Sequence, residues 1–287
     1  MTAQPQRSVG PFSVFPVGLG GMYLSITGRP DEAQAIATIH AALDAGVTLI
    51  DTADVYCLDD GDLGHNERLI AKALRGRSEK VLVATKGGLG RPKGAWTRDA
   101  SVGHLTKACE ASLKALDVSA IDVYQLHAPD PAVPFAESVG VLSRLKEAGK
   151  IRNVGLSNVS LAELDEARAI VPVVSVQNRW NPRHRDPEED GVLAACEKHG
   201  IAFLPYSPFG GASGAKGLSS VGKLADEAKA RGVSPHRLVI AWMLARSPIV
   251  IPIPGARRSE SIVDSSKATT LSLSKADLEA IERSFSA

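Results

Sequence analysis

Cysteine is scarce in this 287-residue chain: there are three, Cys57, Cys109 and Cys196, widely separated. None stands at a metal-ligand spacing from another, and an odd set is no disulfide framework, so all three read as free thiols of a reducing compartment. Cys57 in particular reads as a small apolar filler rather than a redox centre. An excess of charge is also missing. The 33 Lys+Arg and 32 Asp+Glu leave a formal +1, which argues against a nucleic-acid groove or an anionic membrane as partner. No stretch is long and apolar enough to span a bilayer, and the opening MTAQPQRSVG lacks the apolar core of a signal peptide. A cytoplasmic location is the expectation. No Gly-x-Gly-x-x-Gly opens a helix, so the usual dinucleotide fingerprint of a doubly wound sheet is absent. No break in composition marks a linker, and residues 1–287 read as a single domain.

What remains is ordinary globular composition, 44% hydrophobic and 23% charged, with a regular alternation of two signals. Short apolar runs at Val17–Leu19, Leu49–Asp51, Val81–Lys86, Ile121–Leu126, Ile151–Leu156, Val173–Val176, Ile201–Leu204 and Ile249–Ile253 read as strands. Between them lie segments of helical period, as in Glu32–Ala45, where Ala35, Ile36, Ile39, Ala42 and Leu43 recur at helical spacing. Similar helices are expected near Asn66–Leu74, Ser101–Leu116, Pro134–Ala148, Leu161–Ala169, Pro187–Lys198, Val221–Ala230 and Pro235–Leu244, with a last one near Lys275–Phe285. A small hairpin fits Val9–Val14 around Gly10-Pro11. Alternation of this kind indicates a parallel sheet, and eight units close into an α/β (β/α)8 TIM barrel; a doubly wound sheet is the alternative.

Three consecutive strands end on a charged or titratable residue: Asp51, Lys86 and His127. Tyr56 stands in the first loop. The carboxyl ends of barrel strands are where chemistry is done, and these four side chains suit proton transfer. A free tyrosine, with a pKa of about 10, is a poor proton relay unless perturbed. A neighbouring ammonium favours tyrosinate and pulls that value down, and a buried carboxylate keeps the lysine charged and pointed. Taken singly, Asp51, Lys86 or His127 reads more readily as a structural ion pair or a satisfied polar group than as catalytic; together with Tyr56 they read as catalytic.

With these residues in view, the chain resembles the aldo-keto reductase family from about Phe15 to Phe285. The carrying motifs are Gly46-Val47-Thr48-Leu49-Ile50-Asp51-Thr52-Ala53 followed by Tyr56, then Thr85-Lys86-Gly87-Gly88, Gly155-Leu156-Ser157-Asn158, Val176-Gln177-Asn178, Tyr206-Ser207-Pro208-Phe209-Gly210 and Ile253-Pro254-Gly255-Ala256-Arg257-Arg258. The resemblance implies reduction of aldehydes or ketones by hydride from nicotinamide C4, with Tyr56 as general acid, Lys86 as its tuner, Asp51 as partner of Lys86, and neutral His127 orienting the carbonyl. It implies that Ser157, Asn158 and Gln177 hold the carboxamide and that Tyr206 stacks on the nicotinamide. Ser207, Phe209 and Gly210 would lie near the pyrophosphate, and Gly21, Asp51, Ile253 and Gly255 along the cofactor. Tyr23, Tyr56, His127 and Trp180 would face the substrate, with Trp180 on the pocket rim.

Three positions depart from the pattern or stay open. Ser261 and Ser265 stand where many members carry the Arg and Asn that grip the adenosine 2′-phosphate. Arg257 and Arg258 are offered instead, since guanidinium suits phosphate bidentately, and NADPH is favoured over NADH. The acidic loop from Cys57 to Gly64 either shapes a substrate preference or is a solvated excursion. Glu67 reads as an anchor for the start of its helix. The resulting expectation is a small carbonyl substrate, no metal, no nucleic acid and no membrane, with the oligomeric state open and a monomer compatible. Two other functions compete: a cofactor-sensing subunit that binds NADPH without turnover, and a Schiff-base aldolase using Lys86.

Overall fold

A computed structural model describes residues 6–285. Two short strands come first, β1 (Arg7–Val9) and β2 (Phe12–Val14), paired antiparallel with Val9 opposite Phe12. Gly10 makes the turn at φ +54°, a conformation that glycine adopts at little cost. The repeating part then runs β3 (Leu19–Gly20), α1 (Glu32–Asp44), β4 (Leu49–Asp51), α2 (His65–Leu74) and β5 (Leu82–Gly87). A small antiparallel excursion, β6 (Leu89–Gly90) and β7 (Thr97–Arg98), precedes α3 (Val102–Leu116). The alternation resumes with β8 (Ile121–Leu126), α4 (Phe135–Glu147), β9 (Ile151–Ser157), α5 (Leu161–Ile170) and β10 (Val173–Gln177). After it come α6 (Asp186–Glu189), α7 (Val192–His199), β11 (Ala202–Phe203), α8 (Gly211–Gly217), α9 (Gly222–Ala230), α10 (Pro235–Arg246), α11 (Ser259–Ser266) and α12 (Lys275–Arg283).

Seven strands form one parallel sheet in the order β11-β10-β9-β8-β5-β4-β3. The expected eighth strand, Ile249–Ile253, is present as an extended segment rather than a ladder. It bridges Val250 to Phe203 on one side, and Gly255, just beyond it, bridges to Gly20 on the other. Gly18 N–H donates to Pro252 O at 2.9 Å and Gly20 N–H to Pro254 O at 3.0 Å. Pro252 and Pro254 have no N–H to give back, which is why the segment closes the barrel without regular pairing. The helix expected over Pro187–Lys198 is in fact two, α6 and α7, separated where Gly191 takes φ +85°.

Strand side chains alternate between two environments. Outward residues such as Ile50, Tyr124 and Val176 belong to the large apolar layer under the helices. Inward residues Leu49, Leu82, Val123, Leu204 and Ile251 form a second core inside the barrel, joined by Val9 and Val14 of the hairpin. The hairpin thus stops the amino-terminal end of the barrel. Arg7 fastens it, donating to the carbonyls of Leu244, Ser247 and Val250. Among the described residues no helix is long and apolar enough to cross a membrane, and the three cysteines are free and buried.

Candidate active site

Strand register assembles the centre. Asp51 lies opposite Ala84, and Lys86 stands two residues further along β5, on the same inward face. Lys86 is fully buried. Its ammonium donates to Asp51 Oδ2 at 2.8 Å, Thr52 O at 2.8 Å and Tyr56 Oη at 3.0 Å. All three protons of the ammonium are therefore engaged, and its direction is fixed. Asp51 is held in turn by Gln177 Nε2 at 2.7 Å and Gln125 Nε2 at 3.3 Å. Burial opposes the charge on Lys86, but Asp51 and Tyr56 outweigh it and keep the ammonium above its ordinary value.

Tyr56 departs from the expectation. Burial pushes its phenol up to about 12, and the pull of Lys86 does not offset this. The hydroxyl is thus a proton donor that stays protonated across the neutral range. His127 packs edge-on against Tyr56, with ring centroids 5.8 Å apart. Burial, with Lys86 adding to it, holds the imidazole well below its usual value. It is neutral, as expected, and its buried Nδ1 has no partner.

Beside this group the strand ends form an amide network. Ser157 Oγ donates to Gln177 O at 2.8 Å. Asn158 Nδ2 donates to His127 O at 2.9 Å, and Asn158 Oδ1 accepts from Tyr206 Oη at 2.7 Å. Asn158 and Ser207 hold φ of +58° and +52°. Left-handed backbone is uncommon outside glycine, and such residues gather where surrounding structure over-determines them.

These groups line a cleft of about 430 Å³, together with Tyr23, Ser207, Phe209, Ile253 and Gly255. Gly255 admits Tyr23, since a Cβ there would stand 2.5 Å from the ring. A second cleft, of about 560 Å³, contains Arg257, Arg258, Ser261 and Ser265. Tyr23, Phe209, Ala215 and Gly255 border both, so the two are continuous. Arg257 lies over the Tyr23 ring at 4.8 Å. Asp264, also there, is bound by Arg237 and Ser234.

Of the residues assigned to the site, Trp180 lies elsewhere, and Gly21 and Gly210 stand beside residues of the cleft without lining it themselves. Trp180 is fully buried, 5.0 Å from Trp242 and 6.1 Å from Phe203, with Nε1 donating to Glu188 at 2.9 Å. Counting alternate faces from the inward Gln177, Trp180 falls on the outward side; it is core, not pocket rim. Gly21 is a packing requirement, because a Cβ there would meet Asn66 Oδ1 at 2.3 Å and Asp51 O at 2.9 Å. Gly210 begins α8 at φ +77° and lines neither cleft. Glu67 does more than anchor its helix: it is buried and accepts from Thr85, the neighbour of Lys86, at 2.6 Å. Sequence reasoning passed over Gln125, Met22, Leu89 and Trp96. Gln125 is readable, standing two positions before His127 on the same face; Leu89 sits on the short strand β6, and Met22 and Trp96 lie outside the barrel strands, none of them in a motif.

The sequence matches the profile of the aldo/keto reductase family over residues 16–285. The chain belongs to that family. Its members are NAD(P)H-dependent oxidoreductases that act on carbonyl groups, and this chain is one of them. It is 34% identical to a probable aldo-keto reductase 1 of Glycine max, over 94% of this chain and 85% of that protein. Among solved structures, it superposes on a glycerol dehydrogenase of Gluconobacter oxydans with TM-score 0.84 and 29% identity, covering 99% and 96% of the two chains. It also superposes on an aldo-keto reductase of Klebsiella pneumoniae in complex with NADPH, with TM-score 0.84 and 26% identity over 99% and 96%. Barrel, family and cofactor-dependent oxidoreduction thus agree with the sequence reading.

Proposed function

We propose that this family member is an NADPH-dependent reductase that takes aldehydes or ketones to alcohols, with Tyr56 as its general acid. The observation that carries the reading is the buried Asp51–Lys86–Tyr56 chain, 2.8 and 3.0 Å per link, ending at a cleft that His127 also lines. The paired clefts fit the cofactor's chemistry: amide donors and acceptors at one end suit a carboxamide, and guanidinium groups at the other suit phosphate. When bound, NADPH supplies hydride from nicotinamide C4. Ser157, Asn158 and Gln177 would hold the carboxamide, Tyr206 would take the nicotinamide ring, and Ser207 and Phe209 the pyrophosphate. Arg257 and Arg258 would take the 2′-phosphate in place of Ser261 and Ser265.

The protein's own groups manage the proton. His127, uncharged, orients the substrate carbonyl. Tyr56 passes its Oη proton to the carbonyl oxygen as negative charge develops there. The tyrosinate left behind is stabilised by the Lys86 ammonium at 3.0 Å, and Asp51 balances that charge. Water excluded by the barrel floor keeps these interactions strong.

The test is NADPH and NADH titration by tryptophan quenching, with aldehyde-dependent loss of NADPH absorbance, for wild type and Tyr56→Phe. Both proteins should bind NADPH more tightly than NADH, and Tyr56→Phe should lose about 10²–10⁴-fold in kcat. Binding without turnover on any carbonyl supports the sensing subunit. Failure to bind either nucleotide overturns both and leaves Lys86 as a candidate Schiff-base nucleophile.

A further inference from the structure

The acidic loop after Tyr56 is clamped from the neighbouring excursion by one guanidinium. Arg91, between β6 and β7, is 5% exposed, and its Nη2 donates to Cys57 O and Leu58 O, both at 3.2 Å. Those carbonyls follow Tyr56 directly in the chain. The same guanidinium lies 4.0 Å from the centroid of the Trp96 ring. Trp96 is 48% exposed and, with Leu89 and Met22, borders the cleft that holds Tyr56 and His127. The loop is tied at further points: Arg29 pairs with Asp62 at 2.6 Å, and Asp60 accepts from Lys93 N at 3.3 Å. Gly94 runs so close to Leu58 O that a Cβ would stand 3.1 Å from it.

We propose that Arg91 is a positioning residue that couples a substrate-binding wall, Trp96, to the backbone carrying Tyr56, and that this wall selects uncharged carbonyl compounds bearing an aryl group. The proposal rests on the reductase reading of the same cleft. The class follows from the lining. Among the described residues bordering this cleft there is no lysine or arginine, and Arg257 and Arg258 of the continuous second cleft are given to the cofactor on the reductase reading, so a phosphate or carboxylate on the substrate finds no free cation. Asp51, its one carboxylate, is already paired with Lys86. What the open side offers is an exposed indole beside Leu89 and Met22. An indole whose ring is held against a guanidinium is oriented as a platform for a second flat group. Arg91 cannot lose its place without loosening both the platform and the two carbonyls next to Tyr56.

The experiment compares benzaldehyde with propanal for wild type, Trp96→Ala, Trp96→Phe, Arg91→Met and Arg91→Lys. Trp96→Ala should raise the benzaldehyde KM about tenfold, several-fold more than it raises the propanal KM, with Trp96→Phe restoring most of the loss. Arg91→Met should reproduce that KM change and also lower kcat about tenfold for both aldehydes, because Tyr56 is less well placed. Arg91→Lys, which keeps charge without the planar fork, should recover kcat only in part. The double variant Arg91→Met, Trp96→Ala should show no higher benzaldehyde KM than Trp96→Ala alone, since the two residues act as one unit. Equal KM changes for both aldehydes, an unchanged kcat in Arg91→Met, or additive KM effects would each overturn the proposal. A binding readout separates it from the reductase reading. Trp180 and Trp242 are fully buried, so quenching of the exposed Trp96 by benzaldehyde registers contact without turnover. Quenching that disappears in Trp96→Phe supports the wall even in a protein that reduces nothing, and quenching unaltered by that change overturns it.

Discussion

Leu49 and Asp51 stand two residues apart on β4, face the same barrel interior and are almost equally buried, yet they belong to different regimes. Leu49 meets Val9, Leu82, Val123 and Ile251 in an apolar layer sealed by the hairpin. Asp51, about 7 Å further along the strand, meets Lys86, Gln125 and Gln177. The same step is repeated from Leu82 and Ala84 to Lys86, and from Val123 to Gln125. In the lower layer burial itself is the gain, since no atom there needs a partner. In the upper layer burial is a cost, met only because each charge is enclosed by opposite charge or amides. That cost is what gives the upper layer its chemistry. A neutral buried imidazole and a protonated buried phenol exist there because water is kept out from below.

Lys86→Met is the sharpest way to break this division, because it strikes both regimes at once. It strands a buried carboxylate at Asp51 and removes the group that stabilises tyrosinate. Turnover should fall about 10²–10⁴-fold, and unfolding stability by about 3–5 kcal/mol in urea titration. A variant as stable as wild type would mean that the upper layer is not held by its charges. Leu49→Ala tests the other side. It should cost about 2–5 kcal/mol of stability through the cavity it leaves, with kcat per folded molecule unchanged. A matching fall in kcat would show that the layers are not separable.

The alternation of strand and helix is legible in the sequence, because short apolar runs ending on Asp51, Lys86 and His127 need no tertiary information, whereas the split of each strand into inward and outward faces is not. The barrel followed from eight such runs, and the four central side chains from their shared end. Less was readable where the backbone is irregular. The eighth strand contains Pro252 and is followed at once by Pro254, which together suppress its ladder. The α8 segment, GASGAKG, has too much glycine to announce a helix. Trp180 was misplaced because aromatic character near a strand end does not tell inward from outward; the parity from Gln177 does. Arg91 and Trp96 lie in the connection between two strands of two residues each, where local sequence carries almost no register. The phenol of Tyr56 was read from its neighbour Lys86 alone, whereas burial is the larger influence.

Within the upper layer, the two amides on Asp51 Oδ1 give a finer comparison. Gln177 donates at 2.7 Å and Gln125 at 3.3 Å. Gln125→Met should therefore be mild, about 1 kcal/mol in stability with a few-fold loss of kcat. Gln177→Met should cost more on both counts, since it removes the shorter bond and, on the reductase reading, a side chain that would hold the carboxamide. Equal losses would mean that the Asp51 carboxylate is held by Lys86 alone.

The smallest expected effect is a pH profile that stays flat, and its flatness discriminates. In the reducing direction Tyr56 must carry its proton. With burial pushing the phenol up to about 12, that form persists from neutral pH far into the alkaline range. Neutral His127, held well below its usual value, contributes no break near the ordinary imidazole range. The kcat/KM for carbonyl reduction should then vary by less than about twofold between roughly pH 6 and pH 10. Alcohol oxidation needs the tyrosinate, so its rate should climb with rising pH, about tenfold per pH unit, until the phenol titrates. If Lys86 instead dominated and drew the phenol down toward neutrality, reduction would decline as pH rises through that lower value and oxidation would level off there. Measuring both directions on one protein separates the two influences, because desolvation and the ammonium move the same midpoint in opposite senses.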